Sequence, residues 1–134
     1  MKYPKLWMFT ALAGFLAVAL GAFGAHGLAD KLDVHQLEIW NKGVSYQFYH
    51  TLAALLVLTL QSARPAFQGY RSALFFLLGI LFFSGSLYLL ACKELMGWEN
   101  TAWLGPVTPI GGLLFLSGWA YLFLEILRQG KQQN

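Results

Sequence analysis

The chain has 134 residues, of which 57% are hydrophobic and 11% charged, whereas a soluble domain carries about a quarter charged residues. This composition excludes an ordinary soluble domain, and the nine basic residues, scattered without a patch or stripe, exclude a nucleic-acid-binding surface. The single cysteine, Cys92, excludes an internal disulfide and a cysteine-based metal cluster, and we expect it to be a small apolar filler.

Four uncharged stretches divide the chain, and each is close to the roughly 20 residues that a helix needs to cross a hydrocarbon core about 30 Å thick. Barrel strands would alternate in polarity and be about half as long, so helices are favoured. The pattern predicts an all-α, integral membrane four-helix bundle that fills residues 1–134 as a single domain. Its expected spans are Leu6–Ala25, Val44–Ser62, Ser72–Cys92 and Val107–Leu124.

The first stretch also has features of a secretory signal. Lys2 and Lys5 precede an apolar run that ends in the small-residue sequence Ala22-Phe23-Gly24. Because the run is longer than a typical signal core, we expect a retained membrane helix.

Small residues recur at every fourth position of this first helix and predict a face on which another helix backbone approaches closely. A packing seam inside the monomer is favoured over a dimer interface. Two adjacent glycines at the start of the fourth helix predict either a close contact with another helix or a flexible first turn. These packing residues are Ala13, Ala17, Gly21 and Ala25, together with Gly111 and Gly112.

The connection between the first two spans, residues 27–43, is too long for a bare turn. Asp33 is a reasonable N-cap, with Gln36 at the capping-box position and Gly43 as a helix stop. One interpretation is a short interfacial helix over residues 34–43 that lies on the membrane surface. The alternative is that Gly43 is tolerated within a second membrane helix that starts near Val34.

The distribution of Lys and Arg over the short connections predicts the orientation. One side holds six basic residues (Lys2, Lys5, Arg64, Arg71, Arg128 and Lys131), and the other holds three (Lys31, Lys42 and Lys93). We therefore expect both termini on the cytoplasmic side of a bacterial inner membrane. The aromatic residues expected at the outer interface are Trp40, Trp98 and Trp103, with Trp7 and Tyr70 at the inner one.

Polar side chains gather near the predicted outer ends of the spans. In one interpretation they form a binding site, because ionisable groups in membrane helices often mark ligand, ion or proton paths. In the other, they are hydrogen-bonded and only fix the helix register. A zinc site is not favoured, since two histidines without a carboxylate or thiolate are a poor ligand set, and bis-histidine haem ligation is a minor alternative. The cluster comprises His26, Tyr46, Gln47, His50, Ser84, Ser86, Tyr88 and Thr108.

Four motifs resemble a family of small bacterial inner-membrane proteins that is catalogued as a domain of unknown function, number 423, and has a small animal membrane protein as a relative. The motifs are Gly21-Ala22-Phe23-Gly24-Ala25-His26-Gly27-Leu28, Tyr46-Gln47-Phe48-Tyr49-His50-Thr51-Leu52-Ala53, Phe83-Ser84-Gly85-Ser86-Leu87-Tyr88 and Pro106-Val107-Thr108-Pro109-Ile110-Gly111-Gly112. The resemblance covers nearly the whole chain. It implies a four-helix membrane protein, supplies no established activity, and places the family motifs on the polar cluster and on Pro109.

The sequence contains no nucleophile with a base at usable spacing, no phosphate-binding loop and no acidic pair within the spans. We therefore predict no enzyme and no cofactor. The leading hypothesis is a non-enzymatic accessory protein that binds a lipid or a membrane protein partner, or a second copy of the chain, through the polar cluster. The alternative is a small transporter or channel for a proton, ion or small molecule. That alternative requires polar residues that continue across the membrane.

Overall fold

The fold is that of a computed structural model, which describes residues 2–132. Every regular element in this range is helical, which confirms the all-α prediction. The elements are α1 (Pro4–His26), α2 (Val34–Ala63), α3 (Gly69–Gly79), a π-helical segment (Ile80–Ser84), α4 (Gly85–Cys92), a short 3₁₀ helix (Ala102–Leu104) and α5 (Val107–Gln132).

Four helical stretches are long and apolar enough to cross a bilayer. They are α1, α2, the continuous helix from Gly69 to Cys92, here called the α3–α4 rod, and the helix that contains α5. The predicted four-helix membrane bundle is thereby confirmed. Residues 3–5, 64–68 and 128–131 share one end of the bundle, called here the terminal end. The connections 27–33 and 93–106 share the other, called the distal end.

The second membrane helix starts at Val34 and continues to Ala63 without interruption. The capping box is present, because the Gln36 backbone N–H donates to Asp33 Oδ1 at 2.8 Å and the Asp33 N–H donates to Gln36 Oε1 at 3.0 Å. The separate interfacial helix was therefore a wrong prediction, and the alternative of one long helix is correct. Gly43 does not stop the helix. A Cβ at this position would lie 2.9 Å from the Tyr88 ring, so the glycine permits close packing.

The length of α2 also changes the position of Trp40. Its side chain is only 5% exposed, and its indole N–H donates to the Leu20 carbonyl oxygen at 3.0 Å. The indole ring packs against Tyr88, with 4.6 Å between ring centroids. The prediction that Trp40 lies at the membrane interface was wrong, because α2 turns this residue towards α1 and α4. Trp98 and Trp103, in the distal connection, are exposed.

The seam between α1 and α2 contains most of the small-residue ridge. Ala13 and Ala17 are buried, and Gly21 faces Val44. Ala25 is exposed, and Gly24 contacts Trp40 in its place. Four residues advance a helix by more than one turn, about 40° of excess per step, so a strict four-residue repeat rotates away from the seam. A three-residue step from Gly21 restores the contact.

Reciprocal glycine–phenylalanine contacts join the α3–α4 rod to α5. The Phe115 ring packs over Gly79, and the Phe76 ring packs over Gly118, so a Cβ on either glycine would collide with the ring. A Cβ on Gly111 would collide with the backbone of Phe83. Of the two predicted packing glycines in α5, Gly111 therefore makes a close helix contact. Gly112 does not, because its nearest neighbour would be a Phe83 ring carbon at 4.0 Å.

A buried carboxylate fixes the 64–68 connection at the terminal end. Glu125 Oε1 accepts hydrogen bonds from the Gln68 backbone N–H at 2.9 Å, from Arg128 Nη2 at 2.8 Å and from Gln129 Nε2 at 3.0 Å. Arg128 and Gln129 also donate to the Ala66 carbonyl oxygen. The charge of Glu125 is thus compensated where it is buried, and the short connection is tied to α5.

Candidate functional site

The eight side chains of the predicted polar cluster do not form one site. Because α2 starts ten residues earlier than the expected span, His50 lies about 24 Å along the helix axis from its first residue. His26, at the end of α1, is exposed at the distal end. The two histidines were expected at one level of the membrane, and the structure separates them. Apart from His26, the predicted polar residues divide into three small groups.

The first group surrounds His50, whose side chain is 7% exposed. Its Nδ1 lies 2.8 Å from the Tyr46 carbonyl oxygen, and its Nε2 lies 3.3 Å from the indole N–H of Trp119. These contacts fit a neutral imidazole that donates through Nδ1 and accepts at Nε2. The Phe115 ring stacks on the imidazole at 3.5 Å between centroids. Both ring nitrogens are therefore occupied by packing contacts.

This arrangement leaves no free lone pair on His50 for a metal or a haem iron unless the Trp119 contact is broken. Within the described residues, no group of three or more His, Cys, Asp or Glu side chains is arranged to hold a metal ion. We assign the His50 group a packing role between α2 and α5.

The second group joins three helices through Gln47. Its Nε2 donates to the Ala13 carbonyl oxygen of α1 at 2.8 Å, and its Oε1 accepts a hydrogen bond from the Tyr88 hydroxyl of α4 at 2.8 Å. The amide is 3% exposed, so its hydrogen bonds are formed away from the surrounding lipid. Hydrogen bonds of this kind hold helices together in membranes, at about 0.6 kcal/mol on average.

The third group connects α4 to α5 at the distal end. The Ser86 hydroxyl donates to the Phe83 carbonyl oxygen at 2.9 Å, and it lies 2.7 Å from the Thr108 hydroxyl. Since the Ser86 proton is used by Phe83, Thr108 is the donor to Ser86. Ser84, the last residue of the π-helical segment, is fully buried, and its hydroxyl has no partner in the part of the chain that the structure describes.

A lateral groove of about 610 Å³ lies between α1 and the α3–α4 rod, beside the Gln47 group. Gln47 and Tyr88 form the polar part of its lining, and Lys5 lies at its terminal end. Most of the other lining residues are large apolar side chains. Those exposed to the surroundings of the bundle are Phe9, Leu12 and Leu16 from α1, with Leu74 and Leu81 from the rod, and those partly buried are Leu6, Leu20, Leu77 and Leu78.

The groove is open because α1 is attached to α2 and only lightly to the rod. Along its length, α1 is fixed to α2 by the Gln47–Ala13 and Trp40–Leu20 hydrogen bonds. At the terminal end, Tyr3 stacks on Tyr70 at 4.6 Å between centroids and connects α1 to the rod there. The groove thus runs lengthwise between α1 and the α3–α4 rod, and α2 holds the two walls in place.

One basic side chain lines the terminal end of the groove, and two others lie at the same end of the bundle. Lys5 lines it, and Lys2 Nζ lies 5.4 Å from the centroid of the Tyr3 ring. Arg71 donates from Nε to the Tyr70 hydroxyl at 3.0 Å and from Nη1 to the Tyr121 hydroxyl at 2.9 Å. The groove therefore has apolar walls and a positively charged terminal end, called here its mouth. This chemistry suits a lipid with a hydrocarbon chain and an anionic head group.

Sequence reasoning missed this groove. The stripe of large apolar residues on α1 recurs at helical spacing, but such a stripe is typical of any lipid-facing helix. Only the attachment of α1 to α2 decides that the stripe becomes one wall of a groove. Of the predicted candidate residues, the structure brings Gln47 and Tyr88 to it. The others, His26, Tyr46, His50, Ser84, Ser86 and Thr108, lie elsewhere.

Residues 20–112 match the family described as "Protein of unknown function (DUF423)". The chain is 42% identical over 118 residues to a UPF0382 membrane protein of Staphylococcus aureus, covering 88% of this chain and 91% of the relative. It is 40% identical over 121 residues to the UPF0382 inner membrane protein YgdD of Escherichia coli K12, covering 90% of this chain and 88% of the relative.

No solved structure matches the chain. The family match confirms the resemblance inferred from the four sequence motifs, and its range includes Gln47 and His50. The chain therefore belongs to the DUF423 family of membrane proteins, a family described as of unknown function.

Proposed function

We propose that the protein is a non-enzymatic accessory protein of the cytoplasmic membrane that binds the hydrocarbon chain of a lipid in the groove between α1 and the α3–α4 rod. The observation that carries this proposal is the groove itself, about 610 Å³ in volume, lined by apolar side chains and open to the side. Apolar clefts with a few placed polar groups are the usual form of small-molecule sites.

Preorganisation supports binding at this groove over ordinary contact with bulk lipid. A site that is already open loses less conformational freedom when it binds its ligand. Gln47 and Trp40 hold α1 against α2 through two hydrogen bonds, so contacts within the bundle fix this wall of the groove. The Tyr88 hydroxyl donates to Gln47, so the polar atoms of the floor satisfy each other and present little unpaired polarity to a hydrocarbon chain.

The proposed orientation places the terminal end in the cytoplasm. Six basic residues lie at this end, and Glu125 is the single acidic residue there among the six of the chain. The positive-inside rule favours this side as cytoplasmic, and the name of the Escherichia coli relative supports the inner membrane.

Cysteine labelling tests the orientation. In a Cys92→Ala background, a membrane-impermeant maleimide added to intact spheroplasts should label Glu99→Cys. It should label Gly130→Cys only after lysis. The reverse pattern would contradict the proposed orientation.

Two matched glycine variants test lipid binding. A Cβ at Gly85 meets no atom within 4 Å, and Gly85 lines the groove, so Gly85→Leu should fill the groove without disturbing the fold. Gly112→Leu is the control, since its Cβ has only a contact at 4.0 Å and lies outside the groove. Native mass spectrometry from mild detergent should detect retained lipid mass on the wild type and on Gly112→Leu.

Gly85→Leu should lose that mass while remaining folded, as judged by circular dichroism. Equal lipid retention by the two variants would contradict the proposal. Flux of protons or small cations through vesicles reconstituted with the wild type would instead favour the transporter hypothesis.

A further inference from the structure

We infer that the preferred occupant of the groove is a single-chain lipid phosphate with a chain longer than one leaflet, that is, a long-chain polyprenyl monophosphate. This inference rests on the proposed function and names the lipid class of the same groove. Two observations carry it: the length of the groove, and the charge at its terminal end.

The groove is longer than one leaflet is thick. Its α1 wall extends from Lys5 to Leu20, which corresponds to about 22 Å at 1.5 Å per residue. On the rod, the wall from Leu74 to Tyr88 spans about 21 Å by the same rise. The hydrocarbon core is about 30 Å thick, so one leaflet contributes about 15 Å. A phospholipid whose head lies at Lys5 would occupy only the part of the groove on its own side of the midplane, because its acyl chains end there.

The terminal end of the groove is suited to an anion. Lys5 lines it, and Lys2 lies at the same end of the bundle, beside the ring of Tyr3. The one carboxylate at this end of the bundle, Glu125, is already paired with Arg128 at 2.8 Å. A phosphate at the mouth would therefore meet uncompensated positive charge, and phosphate contacts with lysine are charge-assisted hydrogen bonds.

The distal end of the groove has no comparable charge. Its last lining residues are Leu20 and Tyr88, and the Tyr88 hydroxyl is engaged with Gln47. A lipid with one polar head and one long chain fits this asymmetry, with the phosphate at Lys5 and the chain extending past the midplane.

Competition among three lipids tests the inference. The full-length wild-type protein in mild detergent is offered equal amounts of a long-chain polyprenyl monophosphate, the uncharged polyprenol of the same chain, and a phosphatidylglycerol. Native mass spectrometry then gives the bound fraction of each. The polyprenyl monophosphate should be retained over both competitors. Lys5→Gln should reduce the preference for the phosphate over the alcohol about tenfold, and Lys131→Gln, an exposed lysine outside the groove, should not change it.

The alternative outcomes each contradict a specific step. Equal binding of phosphatidylglycerol and the polyprenyl phosphate would refute the length argument, and equal effects of Lys5→Gln and Lys131→Gln would refute the charge argument. If Gly85→Leu displaces both polyprenyl lipids in either case, hydrocarbon binding at the groove stands and only the inferred lipid class fails. If Gly85→Leu displaces none of them, the proposed function itself fails.

Discussion

Two neighbouring polar residues of α2 differ sharply in their surroundings. His50 faces α5, with Phe115 stacked on its ring and both ring nitrogens in contact with hydrogen-bonding groups. Gln47, one turn earlier, faces α1 and α4 and lines an open groove. The side of α2 that packs on α5 is closed by aromatic rings and glycine contacts. The side towards α1 is held open by hydrogen bonds.

This difference teaches that an ionisable residue within a membrane helix need not mark the site. The histidine, which attracts attention in the sequence, is enclosed by ring packing. Gln47, whose side-chain amide is neutral, lies beside the groove between α1 and the α3–α4 rod. The position of the groove follows from how the helices are attached to one another, and the ionisable residue does not mark it.

The largest expected effect is on the free energy of unfolding, from substitutions of His50 on the side of α2 that packs on α5. His50→Ala removes a ring that is stacked on Phe115 and packed against Phe76, and should lower the free energy of unfolding by about 3 kcal/mol, as for other buried ring truncations. His50→Phe keeps an aromatic ring in the stack and loses the hydrogen bonds to the Tyr46 carbonyl oxygen and to Trp119, so it should cost about 1 kcal/mol. Unfolding in mixed micelles with increasing SDS measures both values.

Lipid binding by the same variants tests whether the two sides of α2 are independent of each other. His50→Phe should retain the lipid mass seen with the wild type, because its ring lies on the far side of α2 from the groove. Loss of bound lipid from His50→Phe, with the fold intact, would show that the two sides of α2 are not independent.

A smaller effect is expected at the glycine contact between α5 and the π-helical segment. Gly111→Ala brings a Cβ against the Phe83 backbone and should destabilise the bundle by about 2 kcal/mol through overpacking. Gly112→Ala, its neighbour, has room for the methyl group and should be neutral or slightly stabilising. Thermal melts of the two variants in one detergent measure the difference, and equal melting temperatures would disprove the close approach at Gly111.

The smallest effect is expected on the groove side. Gln47→Leu breaks the hydrogen bonds to Ala13 and Tyr88 and should cost about 1 kcal/mol, in the range measured for interhelical hydrogen bonds in membranes. A double-mutant cycle with Tyr88→Phe should reveal coupling, because the two side chains share one bond. Thr59→Val is the control, since its hydroxyl bonds only to Leu55 of its own helix. Additive losses would mean that the Gln47–Tyr88 bond contributes nothing.

The helical class and the four spans follow from the sequence, because a bilayer imposes length and polarity on each segment. The Asp33–Gln36 capping box was also predictable, since its residue types and spacing define it. The sequence could not decide whether Gly43 ends a helix or permits a close contact. That choice depends on the Tyr88 ring, which is 45 residues away in the chain.

The site was less predictable than the fold for the same reason. An error of ten residues in the start of α2 moved Tyr46, Gln47 and His50 away from the level of His26. The groove depends on α1 attaching to α2 and not to the rod, which no periodic pattern reports. In the sequence, Lys5 served only to predict the orientation of the chain in the membrane. Its place at the mouth of the groove required the packed structure.

The most direct test of the central claim is an NMR measurement of contacts between retained lipid and leucine methyl groups. The protein is produced perdeuterated except for its leucine methyl groups and is given protonated natural lipid in perdeuterated detergent, so that the chain methylene protons belong to lipid. Nuclear Overhauser effects from these protons should reach Leu12 and Leu78 in the groove. They should be absent at Leu113 and Leu116, which are exposed on α5 outside it. Effects of equal strength at all four leucines, or none at Leu12 and Leu78, would contradict a lipid-binding groove.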